Sequence, residues 1–533
     1  MNNTSRRHLL TRRDLLKLAG ALPIAAINGP WLAPIGAAGG QHIAGFDASL
    51  VPATDVLAGW LKQLHDFGPI RATGTPQARA FEEWLATQLT GLGFTLERDQ
   101  YKLTSWECDV QKDCSIDVVE DGGAKRSVEV VAYYPFTAST RTTGPVTGRV
   151  LYGGTDIDGA KALVQKTDAV ALAGSIVVVD MPLGGGGGAR TADANPLPTF
   201  PSPLPAAGGG RSASGAGGRP VMELLQDKCK ALVLCFVDIA NESGRHNYLP
   251  FSDPHRRVPS LWVGAEGSKY LQSVSGKATM TLRLDAKLTP NARADSIVAT
   301  MKGPSDEAIF LTTHTDGPNE VNDNGALGVL SLATYWARTP AAQRRRTLVC
   351  SLPTGHYASG AISDPVTGSG TRAGTRGVMN KRPELMKRVV GQIALEQMGA
   401  MEWVDRDGRY VATGNVARER WIPTASVAPT IAQLFTAATT GEDPRYSASF
   451  MSISGAPGEG GAPREANIPG IGLMGGPSYF FRADPKGVLE KLSPNVMRNE
   501  IAIATKMMLL MDRLTADQLK GRAPISQADL FGS

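Results

Sequence analysis

Cysteine is scarce in this chain, with five residues in 533. No CxxC pair or Cys/His cluster accompanies them, which excludes a disulfide-built scaffold and a cysteine-held metal site. Cys229, Cys235 and Cys350 sit in or beside apolar runs and are expected to be buried packing residues. Cys108 and Cys114 can bridge in an oxidising compartment, and the odd total leaves at least one thiol unpaired. Histidine is also sparse, seven in all, and none follows His356. Beyond the N-terminus no apolar run approaches the ~20 residues that a membrane-spanning helix needs, and no internal repeat is present. Excess charge is lacking too: Arg6, Arg7, Arg12, Arg13 and Lys17 outnumber Asp14 by four, which accounts for most of the net +5. Nucleic acid is excluded as a partner on that ground.

What is there is a globular balance of 42% hydrophobic and 20% charged residues, which excludes disorder throughout. The length predicts about two to four domains. Thr11, Arg12, Arg13, Asp14, Leu15, Leu16 and Lys17 match the twin-arginine export pattern, and the apolar stretch 18–35 leads to the small residues Gly36, Ala37 and Ala38. Residues 1–38 are therefore expected to be a signal peptide of a periplasmic or secreted protein exported folded. A membrane anchor is the alternative, disfavoured by Pro23, Pro30 and Pro34.

Along the rest of the chain, Val56, Leu57, Trp60, Leu61 and Leu64 have helical spacing, and Phe81, Trp84, Leu85, Leu89 and Leu92 predict a second helix ended by Gly93. Runs at 116–119 and 128–134 predict strands. From Gly144, short apolar runs at 150–152, 176–179 and 231–237 predict a separate small module, with a Gly/Pro-rich surface excursion at 183–220. From Ala294, strands at 296–300, 308–313, 347–352 and 389–395 alternate with a helix at 327–336, which predicts an α/β layered domain closed by helices at 485–514. The domains are thus expected at 46–143 with 283–515, and at 144–282.

The segment 309–316 ends an apolar strand in His314, Thr315 and Asp316, and Asp323, Asn324 and Gly325 then open a helix. An imidazole and carboxylates at a strand's C-terminal end form a metal-ligand arrangement, with Asp316 placed to orient His314. A surface loop rich in polar turn residues is the alternative.

With these residues the chain resembles the zinc exopeptidase family of aminopeptidase Y, bacterial leucyl aminopeptidases and glutaminyl cyclases, in the branch carrying a protease-associated insert. Segment 67–74 with the helix at 81–93 resembles the family's "G-x-R-x-x-G" segment, 144–282 resembles the insert, and His314, Asp316 and Asp323 match the "H-x-D … D-N/D-G" metal motif. The resemblance implies a three-layer α/β sandwich with a mixed central sheet, a smaller β-rich insert, and two metal ions bridged by one aspartate.

Carried over by position, that site is half kept. His314, Asp323 and Glu396 supply the ligands of one zinc ion. The positions of the family's two glutamates hold His356 and Tyr357, and the late "Y-H-T … D" histidine is replaced in Tyr479, Phe480, Phe481, Arg482, Ala483, Asp484. The expected catalytic residues are His356 as base or added ligand, Asp316 as the residue orienting His314, and Tyr357 as an oxyanion donor. Glu459, Arg464 and Arg482 are candidate substrate contacts, with Glu465 beside them, and His246 and His255 belong to the insert. For Glu459, Arg464, Arg482 and Glu465 the alternative is solvated loop charges, and for His246 and His255 ordinary surface histidines. The expectation is an exported metallopeptidase-like hydrolase with one zinc ion, acting on an amide or peptide-like small substrate. Three readings stay open: that enzyme, in which His356 works; a non-catalytic relative, in which His356 is a satisfied polar residue and the fold serves for binding; and an acyl-transfer or cyclisation reaction like that of the glutaminyl cyclases, which the chain resembles less because their late histidine ligand is missing.

Overall fold

The computed structural model describes residues 42–182, 218–249, 255–358, 362, 374–442, 448–450 and 458–532. The expected export signal and most of the 183–220 excursion lie outside the described residues. Two helices open the fold, α1 (Thr54–Asp66) and α2 (Pro76–Gly91). Thr75 accepts the Ala78 amide and Pro76 brings a pre-set φ, so α2 begins at the expected turn. The long strand β1 (Thr95–Glu107) follows.

After one helical turn, Val110–Asp113, the chain enters a second sheet. Its strands are β2 (Cys114–Glu120), β3 (Lys125–Val128), β4 (Val130–Tyr133), β5 (Val146–Thr155), β6 (Ser175–Asp180), β7 (Ala231–Cys235), β8 (Ser260–Val263) and β9 (Ala278–Leu284). Their order is β3-β2-β9-β5-β6-β7-β8-β4. The sheet therefore starts at Cys114, and the boundary expected at Gly144 falls inside it. The physical reason is pairing at long range, since β2 runs antiparallel to β9 with Cys114 opposite Leu284.

The chain returns through β10 (Lys287–Met301) to β11 (Ala308–Thr312), the helix α3 (Gly325–Arg338), β12 (Thr347–Leu352) and β13 (Val389–Glu396). A hairpin of β14 (Met401–Arg406) and β15 (Arg409–Val416) follows, then β16 (Glu419–Pro423), α4 (Ala428–Thr439), β17 (Ala448–Phe450), β18 (Gly470–Met474) and α5 (Pro494–Arg513). The first sheet has the order β1-β10-β12-β11-β13-β18-β16-β17 and is mixed, as expected. Successive side chains of its strands enter opposite cores: Ile309, Leu311, Leu348 and Ile393 face the five helices α1 to α5, while Phe310, Val349 and Val389 face Val378 on the helix Thr375–Lys381. That alternation makes the three layers.

Two features of this core aim the site. The buried strand β11 delivers His314 to its C-terminal end, and Asn324 at the start of α3 clasps the turn after β13, bonding both the amide and the carbonyl of Met398. Gly325 packs so closely there that an added Cβ would collide with the Leu395 carbonyl oxygen and the Thr313 hydroxyl. Gly325→Ala is expected to lose about 1–3 kcal/mol of stability through overpacking, read as a lower urea midpoint.

Candidate functional site

The ends of β11, β12 and β13 bring His314, His356 and Glu396 together, and the segment entering Gly461–Glu465 adds Glu459. His314 is 1% exposed. Its Nδ1 donates to the backbone carbonyl of Asp316 at 2.8 Å, which leaves Nε2 bare, 3.9 Å from Glu396 Oε2. Burial, then the neighbouring His356, lowers the His314 pKa to about 3, so the ring is neutral. The carboxylate of Asp316 does not orient the imidazole as expected. It accepts from the Thr73 hydroxyl at 2.5 Å and from the amides of His356 and Tyr357 at 3.2 and 3.1 Å. Those two amides point back at the strand end, so the carboxylate is drawn to them and only its main-chain oxygen reaches the ring.

His356 stacks on His314 with ring centres 4.2 Å apart and donates from Nδ1 to Glu459 Oε1 at 2.7 Å. Burial opposes a charge on this imidazole, but the hydrogen bond and charge of Glu459 outweigh it and raise the pKa to about 9. For Glu459 burial likewise opposes the charge, and His356 overcomes it, bringing the carboxyl to about 2. Its other oxygen accepts the Thr375 amide at 2.6 Å, and its own amide donates to Glu396 Oε1 at 2.6 Å. Gly458 makes that last contact feasible, with φ +74° and no room for a Cβ beside the Glu396 carboxylate. Glu459→Gln is expected to lower the His356 pKa from about 9, because burial is then opposed only by the weaker charges of Glu396 and Asp316; an imidazole NMR titration reads the change.

Asp323 sits at the end of the short turn Glu320–Asp323. Both of its oxygens are taken by Arg71, from Nε at 2.7 Å and from Nη2 at 2.8 Å, and both side chains are fully buried. Burial raises the Asp323 pKa to about 6 against the pull of Arg71. Tyr357 is 2% exposed in the core shared with the second sheet, and its hydroxyl accepts the Asn322 amide. It is held by packing rather than open to a substrate oxyanion. Phe480 and Phe481, at the late histidine's place, pack on each other and on that same core.

The candidate substrate contacts divide. Glu459 is in the cluster, and Arg464 is buried near Glu396, its pKa lowered to about 10 by burial against the carboxylate's pull. Arg482 lies over the Tyr410 ring and 3.5 Å from Asp484. Glu465 pairs with exposed Arg376. In the second module, the His246 amide donates to the Val131 carbonyl and the His255 ring donates from Nε2 to Thr104. The residues whose roles were missed are Arg71, Thr73, Asn322 and Thr375. Arg71 alone carried a local signal, a single cation between Ile70 and Ala72.

Zinc implied by the resemblance does not fit this donor set. The three expected ligands reduce to two unspent donors, His314 Nε2 and Glu396 Oε2, because the guanidinium of Arg71 saturates Asp323. Among the described residues no group of three or more His, Cys, Asp and Glu side chains is placed to hold a metal ion. Two protein cations, Arg71 and His356, lie against the carboxylates instead.

No family model matches the sequence, and no curated protein matches it. Solved structures do match in shape. An aminopeptidase from Aneurinibacillus sp. strain AM-1 superposes with a TM-score of 0.55 at 14% identity, over 87% of this chain and 95% of that one. The zinc aminopeptidase of Bacillus subtilis gives 0.57 at 13%, over 86% and 95%. A peptidase M28 precursor from Shewanella amazonensis gives 0.55 at 14%, over 86% and 97%. At such identities a likeness speaks for the fold, and the fold of this chain is that of the zinc aminopeptidases.

Proposed function

We propose that this protein binds an amide- or peptide-like ligand in the cleft of the aminopeptidase fold and does so without metal-assisted hydrolysis. The observation that carries this reading is the bidentate Arg71–Asp323 pair, fully buried on both sides. A carboxylate already neutralised by a guanidinium at 2.7 and 2.8 Å has no charge left to offer a zinc ion. The twin-arginine pattern at 11–17 supports a periplasmic or secreted location, and among the described residues no helix is long and apolar enough to cross a membrane.

The second reading is the hydrolase with one zinc ion, and one observation favours it: Nε2 of His314 is bare and faces Glu396 Oε2. It requires Arg71 to leave Asp323. Dialysis of the purified full chain against zinc and then against metal-free buffer, followed by elemental analysis, separates the two. The expected result is less than stoichiometric zinc, with calorimetric binding of short peptides unaffected by chelator. One zinc per chain, lost in His314→Ala, overturns the binding reading in favour of the hydrolase.

A further inference from the structure

The geometry points to Cys108 and Cys114 as a disulfide-forming pair that clasps the crossover between the two sheets. Their sulfurs lie 3.5 Å apart in the reduced chain. The contact is built by the single helical turn between them. Asp109 caps it by accepting the Gln111 amide, its own amide donates to Asp113 Oδ2 at 2.8 Å, and the chain reverses so that the two thiols meet.

The place of the pair in the fold gives the bond its consequence. Two legs of chain join the sheets here. The first leaves β1 at Glu107, paired with Lys287, and enters β2 at Cys114, paired with Leu284. The second runs back from Leu284 to Lys287. The Asp285 amide donates to the Asp113 carbonyl at 2.9 Å, so the legs are already hydrogen-bonded side by side. A bond between the sulfurs closes the first leg upon itself, two residues from Trp106, whose ring packs on Tyr133 of the second sheet.

Access favours this, while the hydrogen bond with Cys114 and burial push the Cys108 thiol up, so the exchange is slow at neutral pH and faster in alkaline buffer. Cys108 is partly exposed, and Cys114 forms part of the wall of a cavity of about 340 Å³ between β2, β3 and β4. The oxidant is an external small-molecule disulfide. The Cys108 thiol gives its proton to solvent, and the thiolate attacks one sulfur of that disulfide, releasing the first half as a thiol. The Cys114 thiolate then attacks the Cys108 sulfur and releases the second half, so two protein thiols are oxidised and one external disulfide is reduced to two thiols. Cys229, Cys235 and Cys350 are free and buried, and they stay reduced.

The full chain, incubated with oxidised glutathione, then denatured, alkylated and digested with trypsin, tests the proposal. Trypsin cuts at Lys112, between the two cysteines. The expected result is a mass lower by two hydrogens, three alkylated cysteines, and a disulfide-linked pair of peptides, 103–112 with 113–125. Cys114→Ser is expected to stop at a stable glutathione adduct on Cys108, because the resolving thiol is gone. Alkylation of all five cysteines in the treated wild type, or the same unresolved adduct in wild type and variant, overturns the proposal.

Discussion

Arg71→Ala is expected to cost about 3–5 kcal/mol of stability, the range for removing one partner of a buried ion pair. The guanidinium contacts both oxygens of Asp323 and also donates from Nη1 to the Leu64 carbonyl at 3.2 Å and to the Gly68 carbonyl. Truncation leaves a fully buried carboxylate with no counter-charge, together with orphaned carbonyls at the end of α1. Burial already lifts Asp323 to about 6 in the presence of Arg71, so its removal lifts the carboxyl further. A carboxyl whose folded pKa is raised contributes stability at low pH that is lost as pH rises through the folded value. Urea denaturation should therefore show a larger deficit for the variant at about pH 8 than at about pH 5. Arg71→Ala combined with Asp323→Asn is expected to recover part of the loss, because the uncompensated charge is gone. An equal deficit at both pH values would sink the charge argument.

The second large effect lies outside the His314 cluster, in the carboxyl pair of Glu419 on β16 and Glu500 on α5. Each is 2% exposed. Glu419 Oε2 accepts Trp421 Nε1 at 3.1 Å and Glu500 Oε2 accepts the Gly399 amide at 2.8 Å, and the two buried carboxyls interact closely enough that a proton between them relieves their repulsion. Burial is the chief cause that raises Glu419 to about 7, and burial followed by the charge of Glu419 pushes Glu500 well above the ordinary range. The stability this proton confers is fully present below 4.5, the ordinary glutamate value, and is lost as pH rises through about 7. At 1.36 kcal/mol per pH unit the Glu419 shift alone corresponds to roughly 3 kcal/mol. Glu500→Gln keeps an acceptor for Gly399 and offers Glu419 a permanent N–H donor. Its urea midpoint should fall less steeply than the wild type's between about pH 5 and about pH 9. Parallel curves for the two proteins would show that the pair does not hold the proton.

Much of the fold was legible beforehand because periodicity is local. The helical spacing of Leu57, Leu61 and Leu64, and of Phe81, Leu85 and Leu89, appears in α1 and α2 as their buried faces. The apolar run 308–313 is β11, and the run 389–395 is β13, the two strands that present His314 and Glu396. The assignment of β2, β3 and β4 was not legible, since an alternating strand carries no mark of which sheet it joins. The pairings of β2 with β9 and of β4 with β8 decided it.

The candidate site divides along the same line. By itself the sequence determined that no histidine follows His356, and through the resemblance it gave the expectation that Tyr357, Phe480 and Phe481 stand at ligand positions. It also placed His314 just past the end of one strand and Glu396 at the end of another. The tertiary structure alone decided what those carboxylates and imidazoles do. Arg71 reaches Asp323 across 252 residues, and Glu459 reaches His356 across 103. A buried charge must be neutralised by whatever group packing brings within about 3 Å, and that partner is chosen by the docking of distant segments, which no local pattern encodes. The site that read as a metal triad is, in the folded chain, a set of carboxylates answered by the protein's own cations.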